Sequence, residues 1–294
     1  MMKTRKVIMN LKSINKDADI KIAQLNDFLN FHYTQLKQSE QKIIQIPLYP
    51  PLKLPKVKRL YVDGVFDLTH SGHFNAIRQA KQLCETLVLG VVSQEEVLKR
   101  KGPPVLNYEE RVGIARACKW VDEIFENAPY DPSLELLDQL NCSHVAHGDD
   151  MILLPDGRDQ YWEFKEKGRF VMFKRTEGIS TTDIVGRLLL MTKTEPSLNI
   201  KKIRKMSGEQ GLEANGSFDM IHIGHISTLQ KAKEFGNYLI VGLHDDDVIS
   251  DKKGNSFPIL SLQERVLSIL AIKYVDEVII GAPWDINTTK IQEI

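Results

Sequence analysis

Short apolar runs alternate with stretches of helical periodicity along the middle of the chain. Four runs have the length and composition of buried strands: residues 59–63, 86–92, 123–125 and 144–147. Three other stretches space their apolar side chains as helices do: residues 73–83, 108–119 and 133–140. Apolar strands that alternate with helices predict a parallel, doubly wound α/β sheet, in which ligands bind at the carboxyl ends of the strands.

One polar motif occurs twice within this pattern. Residues 64–73 read Gly-Val-Phe-Asp-Leu-Thr-His-Ser-Gly-His, and residues 216–225, which lie 152 positions later, read Gly-Ser-Phe-Asp-Met-Ile-His-Ile-Gly-His. Further matches follow in nearly the same register, among them Lys101 with Lys253. Such internal similarity predicts two tandem units, each with a Rossmann-like parallel sheet. We expect the second unit to be incomplete, because the chain ends nine residues after Asp285.

The same pattern divides the chain into four segments. We expect an N-terminal extension with a proline-rich linker at 1–56, a complete first domain at 57–193, a linker at 194–211 and a partial second domain at 212–294. The extension carries ten Lys or Arg residues against four Asp or Glu, and a helix is expected within it over residues 20–37. Peripheral contact of this basic arm with an anionic membrane is an alternative left open.

The composition narrows the class of protein. Lys plus Arg equal Asp plus Glu at 39 each, which argues against a protein that binds nucleic acid through its overall charge. The three cysteines, Cys84, Cys118 and Cys142, form no C-x-x-C pair, and this suits a reducing compartment. No apolar stretch approaches the roughly 20 residues of a membrane-spanning helix. We therefore expect a soluble, cytoplasmic protein that binds no nucleic acid.

The repeated motif places two histidines, His70 and His73, between a strand and a helix. Backbone N–H groups and the positive end of a helix dipole point into such a crevice, where anions bind. Imidazole N–H groups there can hydrogen-bond phosphate oxygens and stabilise charge on a five-coordinate phosphorus. A purely structural histidine pair is the alternative. A zinc site is disfavoured because no third ligand stands at metal-site spacing.

Several segments carry a resemblance to a known family. They are residues 61–73, 121–123 (Val-Asp-Glu), 128–129 (Ala-Pro) and 175–182 (Arg-Thr-Glu-Gly-Ile-Ser-Thr-Thr). Together they resemble the cytidylyltransferases of phospholipid synthesis. The tandem organisation and residues 155–161 are similar to the members that act on phosphoethanolamine. The resemblance covers residues 58–192 fully and residues 212–294 in part.

This resemblance implies a reaction of CTP with phosphoethanolamine that gives CDP-ethanolamine and pyrophosphate, for phosphatidylethanolamine synthesis. The substrate phosphate attacks the α-phosphorus in line, and Mg²⁺ is expected on the triphosphate. The implied catalytic residues are His70, His73, Lys101 and Arg175. The implied CTP-binding residues are Gly64, Phe66, Asp67, Gly72, Arg111, Asp150, Thr176, Ile179, Ser180 and Thr181. The implied substrate-binding residues are Asp63, which would pair with the ammonium group, and Tyr130, which would offer a cation–π face.

Alternatives stay open for the function and for single residues. The substrate is phosphocholine in one alternative, and in another the chain is a nucleotide-binding relative without turnover. For Arg111 the alternative is a surface ion pair with Glu109 or Glu110, and for Tyr130 it is a place in the core or at its rim. Pairing of two chains is also left open.

The second unit retains part of the motif set. It keeps His222, His225, Lys253 and Arg265, but the chain ends before a second Arg-Thr-x-Gly-Ile-Ser-Thr-Thr segment. We therefore expect the second unit to be catalytically silent.

Overall fold

The computed structural model describes residues 56–152, 154, 157–194 and 215–284. Contacts divide the chain into two parts, Met1–Leu54 and Pro55–Ile294, and all of the described residues belong to the second part. The helix expected over residues 20–37 lies outside the described residues, as does the expected linker from residue 195 onward.

Residues 57–194, here called the first unit, form a five-stranded parallel sheet with helices between the strands. The strands are β1 (Val57–Gly64), β2 (Cys84–Val92), β3 (Glu123–Ala128), β4 (His144–Gly148) and β5 (Phe170–Phe173). The helices are α1 (Ser71–Gln82), α2 (Gln94–Arg100), α3 (Tyr108–Ala117), α4 (Leu134–Gln139), α5 (Trp162–Glu166) and α6 (Thr181–Thr194). The strand order is β3-β2-β1-β4-β5. The order reverses between β1 and β4, and doubly wound sheets bind ligands in the crevice at such a switch point.

Burial explains why these residues form a central sheet. Six successive residues of β2, from Leu87 to Val92, are buried, as expected of a strand covered by helices on both faces. Helix α1 buries Phe74, Ile77 and Ala80, whose spacing gives one apolar face toward the sheet. The predicted parallel α/β fold is therefore confirmed.

Residues 215–284, here called the second unit, form a shorter version of the same arrangement. Its strands are β6 (Asn215–Gly216), β7 (Ile240–Leu243) and β8 (Glu277–Ile280), all parallel in the order β6-β7-β8. Its helices are α7 (Ile223–Glu234), α8 (Asp246–Lys253) and α9 (Leu262–Leu270). Within the described part of the chain this second sheet is incomplete, as predicted, and lacks counterparts of β4 and β5.

Matching segments of the two units pack against each other. The Lys119 amide donates to the Ala271 carbonyl and the Lys273 amide donates to the Ala117 carbonyl, both at 2.8 Å. Lys119 and Lys273 occupy matching positions, 154 residues apart, so the two hydrogen bonds are related by a pseudo-two-fold axis. One continuous apolar core, which includes Cys118 and Ile272, runs through this junction. The second unit therefore covers a face of the first as a partner subunit would.

The hydrophobic pattern missed three elements of the first unit: α2, α5 and β5. Helices α2 and α5 have only seven and five residues, and α5 buries Phe164 alone. Strand β5 lies at the edge of the sheet, and its Met172 is 61% exposed. Short elements with half-exposed side chains show neither a continuous apolar run nor a helical stripe, so periodicity gives no signal for them.

Candidate active site

The loop that follows β1 has an unusual backbone that occurs in both units. Phe66 and Leu68 have positive φ angles of 53° and 47°, and their counterparts Phe218 and Met220 have 44° and 59°. Non-glycine residues in this region are strained, and such strain concentrates at functional sites. In the first unit the Thr69 hydroxyl supports the loop by donating to the Phe66 carbonyl at 2.8 Å.

Asp67 lies within this loop and holds a second one in place. Its two carboxylate oxygens accept from the amides of Val105 and Leu106, at 2.8 and 2.9 Å. The held segment connects Lys101 to the start of α3. Asp67 therefore shapes the crevice by fixing the loop that follows Lys101.

His70 and His73 lie at the amino end of α1. His70 is the N-cap, and its Nδ1 accepts from the Gly72 amide at 3.1 Å. The His70 amide in turn donates to His73 Nδ1 at 3.4 Å, and the ring centroids are 4.0 Å apart. Because Nδ1 acts as an acceptor in both rings, the proton of each neutral imidazole belongs on Nε2.

Burial decides the charge state of these two histidines. It lowers the pKa of His70 to about 4, and it lowers the pKa of His73 well below the usual value, aided there by the neighbouring His70. Both rings are therefore neutral at pH 7 and offer Nε2–H donors rather than acidic protons. Gly72 allows the rings to pack closely, since a Cβ atom there would lie 2.9 Å from the His70 ring and 3.1 Å from Ile179.

The segment 175–182 closes the crevice from the other side. The Thr176 hydroxyl accepts from the Asn75 amide group at 2.9 Å, and the Thr181 hydroxyl donates to the Asp67 carbonyl at 3.3 Å. Ile179 is buried, and Ser180 caps α6 by accepting from the Asp183 amide at 3.1 Å. The structure thus brings two motifs together that are about 100 residues apart along the chain.

A cavity of about 500 Å³ lies beside this segment. Its lining includes Asp149, Asp150, Arg175, Thr176 and Ser180. Arg175 Nη1 lies 2.9 Å from Asp150 Oδ2, and the Arg175 amide donates to Asp149 Oδ1 at 2.9 Å. Five of the predicted site residues, Asp150, Arg175, Thr176, Ile179 and Ser180, line this cavity, whereas His70, His73 and Lys101 do not.

Asp63 is the last residue but one of β1, and it lies two residues after Tyr61 on the same face of the sheet. Its Oδ1 atom and the Tyr61 hydroxyl are both shielded from solvent and have no hydrogen-bond partner among the described residues. Burial, together with the charge of Asp131, raises the pKa of Asp63 to about 7. The charge of Asp63 also contributes, after burial, to the raised pKa of Tyr161. A shielded carboxylate oxygen without a hydrogen-bond partner is a place that a cation would satisfy.

Tyr130 and Lys101 are close to each other at the same edge of the sheet. Lys101 Nζ lies 5.9 Å from the centre of the Tyr130 ring, and the Arg100 guanidinium carbon lies 5.5 Å from it. The Tyr130 carbonyl accepts from Gln160 Nε2 at 3.2 Å. Tyr130 is half-buried, so it stands at the rim of the core and its ring attracts cations.

One predicted CTP-binding residue, Arg111, lies deeper than the crevice. Arg111 is fully buried, and its Nη1 donates to the carbonyls of Val65 and Val92 at 2.7 and 2.9 Å. The alternative of a surface ion pair for Arg111 is therefore wrong, because the side chain is used inside the fold to hold the loop after β1. Gly64 stands where a Cβ atom would lie 3.0 Å from the Phe66 ring.

A larger cavity, of about 810 Å³, lies at the ends of β2 and β3. Its lining includes Glu95, Glu96 and Glu109 and none of the predicted site residues. Three carboxylates repel a triphosphate, so this cavity suits a nucleotide less well than the cavity beside Arg175.

The second unit reproduces part of this geometry. The His222 and His225 ring centroids are 3.8 Å apart, and His222 Nδ1 accepts from the Gly224 amide at 3.1 Å. Lys253 differs from Lys101, because it is half-buried and donates to the Ser217 hydroxyl at 2.7 Å. The described residues contain no counterpart of segment 175–182 in this unit.

A family model described as cytidylyltransferase-like matches residues 61–187 and 214–294. The chain belongs to the cytidylyltransferase-like family. It is 44% identical over 274 residues to an ethanolamine-phosphate cytidylyltransferase of Dictyostelium discoideum, a match that covers 80% of this chain and 76% of the relative. It is 40% identical over 288 residues to the enzyme of the same name from Arabidopsis thaliana, covering 82% of this chain and 68% of the relative. Choline-phosphate cytidylyltransferase A of Rattus norvegicus is 42% identical over 133 residues, but this match covers 45% of the chain and 36% of the relative.

Residues outside the expected set also form contacts around this crevice. Asn75 holds Thr176, and Tyr161 stacks on His147 with 4.8 Å between ring centroids. Arg187, on α6, forms an ion pair with Glu264 of the second unit. Of these residues, only Asn75 could have been found from the sequence, because it lies two residues after His73 on α1. The other contacts depend on how distant segments meet.

Proposed function

We propose that this cytidylyltransferase transfers the cytidylyl group of CTP to phosphoethanolamine and releases pyrophosphate. The observation that carries the proposal is the meeting of the two motifs, with Thr176 held by Asn75 on α1 and Thr181 held by Asp67. This arrangement gathers hydroxyl, imidazole and guanidinium donors around one crevice at the switch point of the sheet. The names of the relatives that match most of the chain support the same reaction.

The protein's contribution to the reaction is positioning and charge stabilisation. The phosphate oxygen of the substrate is already a nucleophile, so it needs no general base, and pyrophosphate leaves as the new P–O bond forms. Neutral His70 and His73 would donate Nε2–H to oxygens on the α-phosphorus, where negative charge increases in the transition state. Arg175 and Lys101 would neutralise the departing pyrophosphate.

Mg²⁺ would enter with CTP as part of the substrate. Among the described residues no group of three or more His, Cys, Asp or Glu side chains forms a metal cage. Mg²⁺ is usually held by one or two carboxylates together with substrate phosphates. Asp149 and Asp150, which line the cavity beside Arg175, are suited to that role.

The choice of phosphoethanolamine over phosphocholine depends on Asp63. A primary ammonium donates three hydrogen bonds and would satisfy the buried Oδ1 of Asp63, whereas a quaternary ammonium donates none. The cations of Arg100 and Lys101 already lie near the ring of Tyr130, so this ring is poorly placed to bind a quaternary ammonium as well. The crevice therefore favours a ligand that is recognised through hydrogen bonds and a carboxylate.

We place the reaction in the cytoplasm. The three cysteines are free thiols, all of them buried, as is usual in a reducing compartment. None of the helices in the described ranges is long and apolar enough to cross a bilayer.

Pyrophosphate release tests the proposal directly. Purified protein is incubated with CTP and Mg²⁺, with phosphoethanolamine and phosphocholine in parallel reactions and His73→Ala as the control. Turnover with phosphoethanolamine that is lost in the variant is the expected result. Turnover with phosphocholine alone would contradict the role of Asp63, and CTP binding without any turnover would favour a binding protein.

A further inference from the structure

Helix α6 connects the crevice to the second unit. It begins at Thr181, directly after the segment that closes the crevice, and Arg187 lies nearly two turns further on. Arg187 Nη1 lies 2.8 Å from Glu264 Oε2, and Arg187 Nη2 lies 3.0 Å from Glu264 Oε1. Nη1 also donates to the Ile259 carbonyl at 3.1 Å. This fork-to-fork geometry fixes direction as well as distance, so it can set the orientation of α6.

An apolar cluster surrounds the same junction. Leu68, Ile179 and Ile184 of the first unit pack with Leu260 of the second, and all are less than 9% exposed. Leu68 belongs to the loop with positive φ angles, and Ile179 belongs to the closing segment. The second unit therefore contacts both motifs of the first through one cluster.

Glu264 is held as an anion at this place. Burial opposes its ionisation, but the hydrogen bonds from Arg187 and Ser261 prevail and lower the pKa of Glu264. The side chain of Glu264 is 16% exposed and that of Arg187 is 34% exposed. The charge of Glu264 also reaches His70, where it partly offsets the effect of burial on the pKa of that histidine.

The first unit contains a natural control for Glu264. Glu110 occupies the matching position in α3, and each glutamate closes a capping box at the start of its helix, with Asn107 and Ser261 as the respective N-caps. Among the described residues Glu110 forms no ion pair with an arginine. Of these two glutamates, only Glu264 therefore forms an ion pair with α6 in addition to its capping box.

We propose that Glu264, through its ion pair with Arg187, is a positioning residue by which the second unit holds α6 and the closing segment against the histidines of the first. This inference rests on the proposed reaction. It assigns a part in catalysis to the second unit, which we expect to carry out no chemistry of its own. Since a misplacement of about 1 Å can cost about 10²-fold in rate, loosening α6 is expected to lower kcat.

The experiment compares Glu264→Gln with Glu110→Gln in the full chain. Glutamine keeps the capping box but loses the charge, so both variants retain their helix starts. We expect kcat to fall about tenfold or more in Glu264→Gln, with CTP KM changed less, and to stay within about twofold in Glu110→Gln. Arg187→Gln is expected to lower kcat by a similar factor, and the double variant, Arg187→Gln with Glu264→Gln, is expected to lower it little further.

Two results would overturn the inference. One is a Glu264→Gln protein whose kcat stays within twofold of the parent. The other is a double variant whose loss of kcat equals the product of the two single losses, as expected of residues that act independently. If Glu264→Gln itself fails to fold, Arg187→Gln, which leaves the capping box of α9 intact, decides by the fall in its kcat. Parent turnover tests the proposed reaction separately, and if the parent is inactive the same variants are compared by amide hydrogen exchange of α6, where faster exchange specific to Glu264→Gln is expected.

Discussion

Arg175 and Asp150 form an ion pair, with 2.9 Å between Nη1 and Oδ2. Arg175, which we expect to bind the triphosphate, is thus paired with Asp150, which we expect to bind the nucleotide. Both side chains are well exposed, at 55% and 39%, so solvent screens the pair and either partner can leave it at little cost. CTP would exchange one of these contacts for a phosphate.

This exposure separates the effect of Arg175 on stability from its effect on activity. We expect Arg175→Gln to shift Tm by less than about 2 °C, because exposed ion pairs contribute only about 0–1 kcal/mol. We expect kcat/KM for CTP to fall about 10²- to 10³-fold, as when a donor to a transition-state oxyanion is removed. Pyrophosphate release and calorimetry measure the two quantities. Lys174→Gln removes an equal charge from the neighbouring, highly exposed position and should change neither.

Asp63 is expected to lower the free energy of unfolding of the protein, although it provides the contact for the substrate ammonium. Its pKa is raised to about 7, so the folded protein binds a proton that the unfolded chain releases near pH 4. The free energy of unfolding therefore falls as pH rises from about 4 to about 7 on account of this group. Asp63→Asn removes the effect, and we expect it to stabilise the protein by about 1–3 kcal/mol at pH 8 and negligibly at pH 4. Urea unfolding at the two pH values measures this.

The same variant tests the substrate. We expect Asp63→Asn to raise the KM for phosphoethanolamine about 10- to 100-fold while the KM for CTP changes little, because the ammonium loses its counter-charge. Asp131→Asn, whose carboxylate is paired with Arg100, serves as the control for loss of a nearby charge. Equal effects of the two variants on KM would contradict a direct contact with Asp63.

The matching histidines of the two units should differ sharply in their importance. His70→Ala removes an Nε2–H donor in the crevice, and we expect kcat to fall about 10³-fold or more. His222→Ala makes the matching change in the second unit, which among the described residues lacks a closing segment, and we expect more than half of the parent kcat to remain. A larger loss in His222→Ala, with unchanged Tm, would show that the second unit is not silent.

Asp67 is expected to act through the loop that it holds. In Asp67→Asn one of the two amides, of Val105 or Leu106, would face an NH₂ group and lose its acceptor. We expect the loop that begins at Lys101 to move, and kcat/KM for CTP to fall about tenfold. Asp122→Asn is the control, because Asp122 accepts from the Leu87 amide of β2 at 2.7 Å and pairs with Lys81, and neither partner is a predicted site residue. A similar loss of stability in both variants, with activity lost only in the first, is the expected outcome.

The hydrophobic pattern predicts the parallel sheet because a strand that is buried on both faces, such as β2, has a continuous run of apolar residues. It accounts equally for helices with a continuous apolar stripe, such as α1. It missed β5, an edge strand whose Met172 faces solvent, because half-exposed residues follow no strict period.

The candidate site was predicted where its residues are neighbours in the sequence. The glycine between His70 and His73, and the capping of α1 by His70, follow from a few successive residues and local hydrogen bonds. The partner of a charged side chain cannot be predicted in this way, because it depends on segments that meet only after folding. Arg111 therefore has a buried place among backbone carbonyls instead of the surface ion pair held open for it.

The sequence by itself determined the type of fold, the repeated motif and the chemical character of the crevice, since each follows from local periodicity or from adjacent residue types. Only the tertiary structure decided which charges meet. Arg175 pairs with Asp150 across 25 residues, and Arg187 pairs with Glu264 across 77. The physical reason is that an ion pair gains its energy from proximity in space, and the distance along the chain carries no information about it.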